Sequence, residues 1–208
     1  QSYKPLRSPL YKEAAAMIEP SEATKKNAAD NNIFFFEDFS TTNVGKKPVG
    51  WRSQYGFDGG VVVNPDGLNG NWVLITDNTF KAIQIKNPLP QNFTVSYDMV
   101  ASQNFTWGAK RLTFQLSKET SHGNAESFLS VGIRPGFDGR EGEATIETKF
   151  PVPPGYSNES KWYAAPGFSN NKKNNRITVT IKKKEEMLQV FIDNKKIAEY
   201  EKAIPAAH

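Results

Sequence analysis

A group of aromatic side chains stands among small polar residues, with hydrogen-bonding side chains on strand-like segments nearby. Sugar rings present apolar C–H faces, so a protein that binds glycans needs exposed flat aromatic rings beside amide, carboxylate or guanidinium groups. The candidate binding residues are Trp107, Tyr156, Trp162, Tyr163, Arg111, Gln115 and Arg134. Trp107 and the group 156–163 fall between predicted strands, so both are interpreted as loops. The alternative is that these rings cover the rim of the core beneath a long loop.

Two glutamates are the carboxylates whose spacing suits catalysis. Glu143 and Glu147 are four residues apart in a strand-like segment, which places both on one face. A retaining glycosidase needs two carboxyl groups about 5–5.5 Å apart, and the spacing meets that requirement as an expectation. The same face continues with Glu141 and Lys149, so the alternative is an ordinary charged outer face of a strand.

The composition removes most other catalytic chemistries. The chain of 208 residues has no cysteine, which excludes thiol nucleophiles and cysteine-ligated metals. His122 and His208 are the two histidines of the chain, which is too few for a histidine-rich metal site and leaves little choice for a Ser-His-Asp triad. Carboxylates remain as the catalytic groups.

The positive charge is concentrated at one end of the chain. Residues 161–208 carry 10 Lys/Arg against 5 Asp/Glu, or +5, and the total of +4 leaves −1 for the rest. The lysine run 182–184 is interpreted as a solvated hairpin edge, because strand edges are commonly protected by lysine. Basic and aromatic residues lie in different segments, so nucleic-acid binding is not predicted. No stretch approaches the roughly 20 apolar residues of a membrane helix.

The elements that must position these residues are short strands. From residue 33 onward, apolar and polar residues alternate in short runs separated by Gly, Pro, Asn and Asp. Such a pattern predicts an all-β chain with two facing antiparallel sheets, a β-sandwich or jelly roll. The predicted strands are 33–39, 60–64, 72–76, 82–86, 93–101, 110–118, 127–134, 143–149, 175–183, 187–193 and 196–200.

Three successive strands have a clean apolar face and a clean polar face. Segments 93–99, 112–116 and 129–134 each alternate, so one side faces the core and the other faces water. If these strands are neighbours in one sheet, their polar side chains line one surface. That surface comprises Asp98, Arg111, Thr113, Gln115 and Arg134.

The first 32 residues differ from the rest. Prolines interrupt a short Ala-rich piece at residues 11–18, and the flanking sequence is polar. We interpret residues 1–32 as an extension or linker, partly helical or irregular. Residues 33–208 then form the sandwich.

Both ends of the predicted sandwich resemble a known superfamily. Residues 36–40 read FEDFS and residues 44–51 read VGKKPVGW, which resembles the start of concanavalin A-like lectin/glucanase domains of secreted bacterial proteins, of the LamG-like kind. Residues 175–181 (NRITVTI) and 187–197 (MLQVFIDNKKI) are similar to the late hairpin of that superfamily. Asn194 stands where the family often has glycine, and both tolerate a turn with positive φ.

The resemblance also sets expectations about what is absent. Members of the superfamily have a further strand after this hairpin, so residues 33–208 are expected to lack the closing strand. Hydrolytic members carry an E-x-D-x-E strand, whereas Thr145 stands here in place of the aspartate. Members often hold a structural calcium ion through loop aspartates, and such a calcium ion is left open here with no ligand assigned.

The resemblance implies a non-catalytic binding module, secreted, periplasmic or at the cell surface, for a glycan or another surface component. Because this fold carries many activities, two alternatives stay open. The first is a glycoside hydrolase or polysaccharide lyase using Glu143 and Glu147. The second is a structural subunit of a surface assembly, with a protein partner at residues 1–32 or at an open C-terminal edge.

Overall fold

The structure is a computed structural model. The structure describes residues 33, 35–53, 60–76, 81–83, 89–106, 108–119, 125–137, 140–152, 154–171 and 175–201. Within these residues the chain is all-β, and every paired strand is antiparallel. The strands are β1 (Trp51–Ser53), β2 (Val61–Val63), β3 (Trp72–Leu74), β4 (Lys81–Ile83), β5 (Phe93–Val100), β6 (Leu112–Glu119), β7 (Ala125–Arg134), β8 (Gly142–Val152), β9 (Gly155–Ala165), β10 (Arg176–Lys184), β11 (Met187–Ile192) and β12 (Lys195–Tyr200).

The chain divides into two compact units, Gln1–Pro88 and Leu89–His208. In the first unit β1 pairs with β4 and β2 pairs with β3. Val62, Val63 and Leu68 are its buried hydrophobic residues within the part that the structure describes.

The second unit is a sandwich of two four-stranded sheets. The first sheet has the order β12-β11-β10-β5, and the second sheet has the order β6-β7-β8-β9. Alternate residues of both sheets meet in one hydrophobic core, as aligned sheet packing requires. In β10 the burial alternates strictly, because Ile177, Val179 and Ile181 point inward between half-exposed neighbours. The predicted two-sheet antiparallel sandwich is therefore confirmed.

The hairpin between β11 and β12 follows the sequence prediction. Asn194 has a φ of 66° and Asp193 a φ of 47°, the left-handed pair that a two-residue hairpin turn needs. The Asp193 carboxylate also accepts a hydrogen bond of 2.7 Å from the backbone N–H of Thr178 on β10. This turn therefore fixes the register of β11 against two neighbours.

The structure differs from the predicted elements in three places. Segment 33–39 is not a strand at any of its described residues, whereas β1 was not predicted. The group 156–163 was interpreted as a loop and is instead most of β9. The strand β9 was not predicted because many of its residues are polar, and an edge strand needs few apolar side chains.

Asp98 does not share a surface with Arg111 and Arg134, contrary to the prediction. Its strand, β5, pairs with β10 in the first sheet, so it is not a neighbour of β6. There the Asp98 carboxylate accepts hydrogen bonds from Arg176 at 2.8 Å and from the Thr178 hydroxyl at 2.6 Å.

Lys183 was interpreted as part of a solvated edge and is buried instead, with 7% of its surface exposed. It follows Ile181 on the inward face of β10, and its Nζ donates a 2.6 Å hydrogen bond to the Gln91 carbonyl. Burial lowers the pKa of this amine, although nearby Glu186 opposes the shift.

The buried hydroxyl of Tyr97 lies in the second unit. The Tyr97 ring stacks on Phe114 with centroids 5.6 Å apart, and its hydroxyl has no hydrogen-bond partner among the described residues. Burial raises the pKa of Tyr97 well above its ordinary value of 10.0, since a phenolate there would be desolvated.

Replacing Tyr97 by phenylalanine is expected to raise the free energy of unfolding by about 1 kcal/mol at pH 7, because an unsatisfied buried polar group costs about that much. The effect should grow above pH 10. There the unfolded chain releases the Tyr97 proton and the folded chain keeps it, so the wild type loses stability as pH rises. Urea unfolding at pH 7 and pH 11 measures both effects.

Tyr200→Phe is the matched control for this prediction. The Tyr200 hydroxyl receives a 3.1 Å hydrogen bond from the Tyr163 hydroxyl, so its removal is expected to destabilise the protein at pH 7. Equal effects of the two substitutions would contradict the assignment of Tyr97 as the unsatisfied group.

The structure also addresses membrane insertion. None of the described residues forms a helix long and apolar enough to span a bilayer.

Candidate functional site

The candidate site lies on the outer face of the second sheet. Ile133, Ala144 and Ile146 point into the core, so their neighbours along β7 and β8 point outward. One outward row crosses all four strands and is called the central row. It consists of Thr113, Gly132, Thr145 and Trp162, in register from β6 to β9.

Trp162 is the exposed aromatic residue of this row, with 60% of its surface accessible. The Arg111 guanidinium lies over its ring, with Cζ 4.2 Å from the ring centroid, and the Arg134 Cζ is 6.0 Å away. A guanidinium over an indole face is attracted by the negative charge of that face. The contact therefore holds the indole ring in one orientation on the edge strand.

Gly132 allows Arg111 to reach this ring. A Cβ atom at Gly132 would lie 3.1 Å from Cδ and 3.3 Å from Cβ of Arg111, tighter than ordinary contact. The aliphatic part of Arg111 therefore crosses the sheet over the position where β7 has no side chain. A larger residue there would lift Arg111 away from Trp162.

Glu143 links the two arginines. Its Oε2 accepts a hydrogen bond of 2.7 Å from Arg134 Nε and lies 3.5 Å from Arg111 Nη2. The side chains of Arg111 and Arg134 are 24% and 17% exposed, against 42% for Glu143. Two guanidinium groups and one carboxylate give the cluster a formal charge of +1. We call Arg111, Arg134, Glu143 and Trp162 the site cluster.

Thr145 lies beneath the site cluster. It is 5% exposed although it points outward from β8. Its hydroxyl is buried and has no hydrogen-bond partner among the described residues. The floor of the site therefore contains a buried polar atom that nothing in the described residues satisfies.

Three connections of the second unit meet at the same end of the sheet as the site cluster. The Gly136 N–H donates to the Phe168 carbonyl at 3.0 Å, and the Asn170 N–H donates to the Gly136 carbonyl at 3.1 Å. The Asn170 side chain donates to the Gln103 carbonyl at 3.3 Å. These bonds join the segments that follow β5, β7 and β9. Arg111 ends the first of these segments and Arg134 directly precedes the second, so the bonds hold the backbone near both arginines in place.

The structure brings together three of the predicted binding residues, Arg111, Arg134 and Trp162. Gln115 lies on the same outer face one row further along β6, opposite Ser130. Tyr156 occupies a position in β9 paired with Pro151, and Trp107 lies outside the described residues.

Tyr163 does not join this surface, and its grouping with Trp162 is wrong. Consecutive residues of a strand point to opposite faces, so Tyr163 points inward, packs against the core and donates to the Tyr200 hydroxyl. The interpretation of segment 156–163 as a loop concealed this alternation.

Glu143 and Glu147, the alternative catalytic pair, are four residues apart on β8 and share its outer face. Glu143 accepts a hydrogen bond from Arg134 on the neighbouring strand β7, and Glu147 lies opposite Ser130 and Ser160. Their role as a catalytic pair stays a prediction.

Two residues of the site were missed as functional positions, Gly132 and Thr145. A glycine in the polar row of an otherwise regular strand was visible in the sequence, and it often marks a close approach of another group. Thr145 gave no such signal, because a threonine in the polar row of a strand is expected to face solvent.

The described residues contain no group of three or more His, Cys, Asp or Glu side chains that could hold a metal ion. A structural calcium ion stays a prediction without assigned ligands.

Comparisons with known proteins found little similarity. No protein-family model and no curated protein matches the chain. A solved structure of sheep galectin-11 in complex with glycerol is similar, with 15% identity and a TM-score of 0.36, over 57% of this chain and 77% of that chain. The antiparallel topology of the second unit is compatible with the concanavalin A-like sandwich that the sequence resembles, and no family model supports the LamG-like form.

Proposed function

We propose that the second unit is a non-catalytic glycan-binding module and that the site cluster is its binding surface. The observation that carries the proposal is an exposed indole held in place by a guanidinium, with hydrogen-bonding groups beside it. Such a module binds a glycan or another surface component, and it would be secreted, periplasmic or at the cell surface.

Trp162 supplies the apolar contact. Arg111 lies over the ring, yet 60% of the residue stays accessible, so the indole offers area to the C–H face of a sugar. An aromatic platform of fixed orientation loses little conformational entropy on binding. This arrangement favours a ligand surface over a simple cover of the core.

The polar groups beside the ring can orient sugar hydroxyls. Glu143 uses Oε2 for both arginines, and its Oε1 has no hydrogen-bond partner within the described residues. Thr113 and Gln115 add exposed hydrogen-bonding side chains on β6. Hydroxyl groups of a sugar both donate and accept, so such a mixture suits them.

Replacing Trp162 by alanine is expected to weaken glycan binding about 10-fold, or about 1.4 kcal/mol, the loss typical of an aromatic anchor. A glycan array identifies a ligand for the wild type, and calorimetric titration compares the variant. The fold should survive, since Trp162 lies at an exposed edge position.

Phe191→Ala is the matched control. Phe191 lies on the first sheet with the Lys182 amine 4.8 Å from its ring centroid, so it repeats the aromatic–cation pair away from the site cluster. Binding by this variant should equal that of the wild type. No ligand on the array, or equal binding by Trp162→Ala and wild type, would refute the proposal.

A further inference from the structure

We propose that the glycan bound by this module is acidic, bearing a carboxylate or a sulfate, and that Arg111 recognises the acidic group. The inference rests on the proposed function and specifies its ligand class. It follows from how charge is shared in the site cluster.

The one carboxylate of the site cluster is shared unequally between the two arginines. Glu143 Oε2 accepts from Arg134 Nε at 2.7 Å and also contacts an Arg134 terminal nitrogen, whereas Arg111 Nη2 is 3.5 Å away. Charge-assisted hydrogen bonds are shorter than 3 Å when fully formed. Glu143 therefore neutralises Arg134 and leaves the charge of Arg111 largely uncompensated.

Arg111 also keeps unused donors. A guanidinium has five N–H groups, and within the described residues the Arg111 side chain uses one of them, Nη2, in a hydrogen bond to Glu143. Its Nε is buried and has no hydrogen-bond partner in the part of the chain that the structure describes. The Arg111 Cζ lies over the Trp162 ring, 4.2 Å from its centroid, and this contact is an attraction to the ring face rather than a bond to an acceptor oxygen.

Among the described residues, Glu143 supplies the one carboxylate that contacts the Arg111 side chain. The neighbours of Arg111 in the central row are Thr113, Gly132, Thr145 and Trp162, which are all uncharged. Glu147 lies one row beyond Trp162 on the same face, and it makes no contact with Arg111 in the described residues. A ligand oxyanion at the free edge of the guanidinium would supply the missing partner, while its sugar ring lies against the indole.

An acidic sugar fits this position better than a neutral one. The planar guanidinium fork matches two oxygens of one carboxylate or sulfate, and such bonds are about twice as strong as bonds to a hydroxyl. A neutral sugar would leave the positive charge of Arg111 unpaired beneath the ligand. The site should therefore discriminate between matched neutral and acidic saccharides.

The experiment uses oligosaccharides of one linkage in three forms, as neutral galactose, galacturonate and sulfated galactose units, titrated against the full chain. The acidic forms should bind about 10-fold more tightly than the neutral form. The difference should shrink at high salt, because the site is partly exposed. The carboxylate and sulfate forms separate the two sources of the anion.

Arg111→Gln should remove the preference for acidic forms, and Arg111→Lys should restore part of it, since lysine keeps the charge without the fork. Lys182→Gln removes the same charge from the first sheet and should keep the preference. Equal binding of neutral and acidic forms would overturn this inference and leave the proposed function intact. No binding of any saccharide would overturn both, and a preference that persists in Arg111→Gln would remove Arg111 from the recognition.

Discussion

Replacing Phe168 by alanine is expected to lower the free energy of unfolding by about 3–5 kcal/mol, the usual cost of emptying a large buried aromatic position. Phe168 is 0% exposed and belongs to the hydrophobic core, although it lies in the connection after β9 rather than in a strand. Its carbonyl also accepts the Gly136 N–H at 3.0 Å. The side chain therefore anchors in the core the same connection that supports the site cluster.

Phe137→Ala is the matched control, since Phe137 is next to Gly136 in sequence and 53% exposed. Its substitution should change the free energy of unfolding by no more than about 0.5 kcal/mol. Urea unfolding followed by circular dichroism measures both variants. If the Phe168→Ala protein proved as stable as Phe137→Ala, the packing of this connection against the core would be wrong.

Most strands of the second unit could be predicted from the sequence, because the strict alternation of apolar and polar residues fixes which face is buried. The segments 93–101, 110–118 and 127–134 correspond closely to β5, β6 and β7. Alternation within a strand, however, contains no information about which strand lies beside it. Asp98 was therefore assigned to the wrong sheet even though its own strand was identified.

The strand β9 shows why edge strands are harder to predict. Tyr163 and Ala165 are the residues of β9 that pack into the core among its described side chains. Residues 158–162 are exposed at the sheet edge, and most of them are polar, so the segment resembles a loop in sequence. Because this strand was not predicted, Tyr163 was assigned to the same surface as Trp162. Consecutive residues of a strand point to opposite faces, so the two side chains cannot share that surface.

The sequence predicted which residue types belong to the candidate site, but not how their side chains are arranged. Arg111, Arg134 and Trp162 were identified by residue type, as side chains suited to a sugar. Their meeting depends on Gly132, which removes a side chain from the path of Arg111, and on the strand order that sets β6 three places from β9. The glycine and the strand order both act through residues far apart in the sequence, so residue spacing could not predict the contact between Arg111 and Trp162.

Replacing Gly136 by alanine is expected to lower the free energy of unfolding by about 2–3 kcal/mol, the cost of forcing atoms into a filled space. A Cβ there would overlap the backbone carbonyls of Arg140 and Glu141, and backbone atoms cannot rotate away as the end of a flexible side chain can. The same residue bridges to Ser169, so the shift would also disturb the support of Arg134. Glycan binding by any folded Gly136→Ala protein should therefore be weaker than that of the wild type.

Gly155→Ala tests whether the loss of stability comes from the enclosed position of Gly136 or from replacing any glycine by alanine. A Cβ at Gly155, the first residue of β9, would meet nothing within 4 Å, so its substitution should change stability by about 0.5 kcal/mol or less and leave glycan binding unchanged. Urea unfolding and calorimetric titration of the two variants make the comparison. Because Gly136 is enclosed by backbone and Gly155 is open, equal stability of the two proteins would contradict the close approach of the Arg140 and Glu141 carbonyls to Gly136.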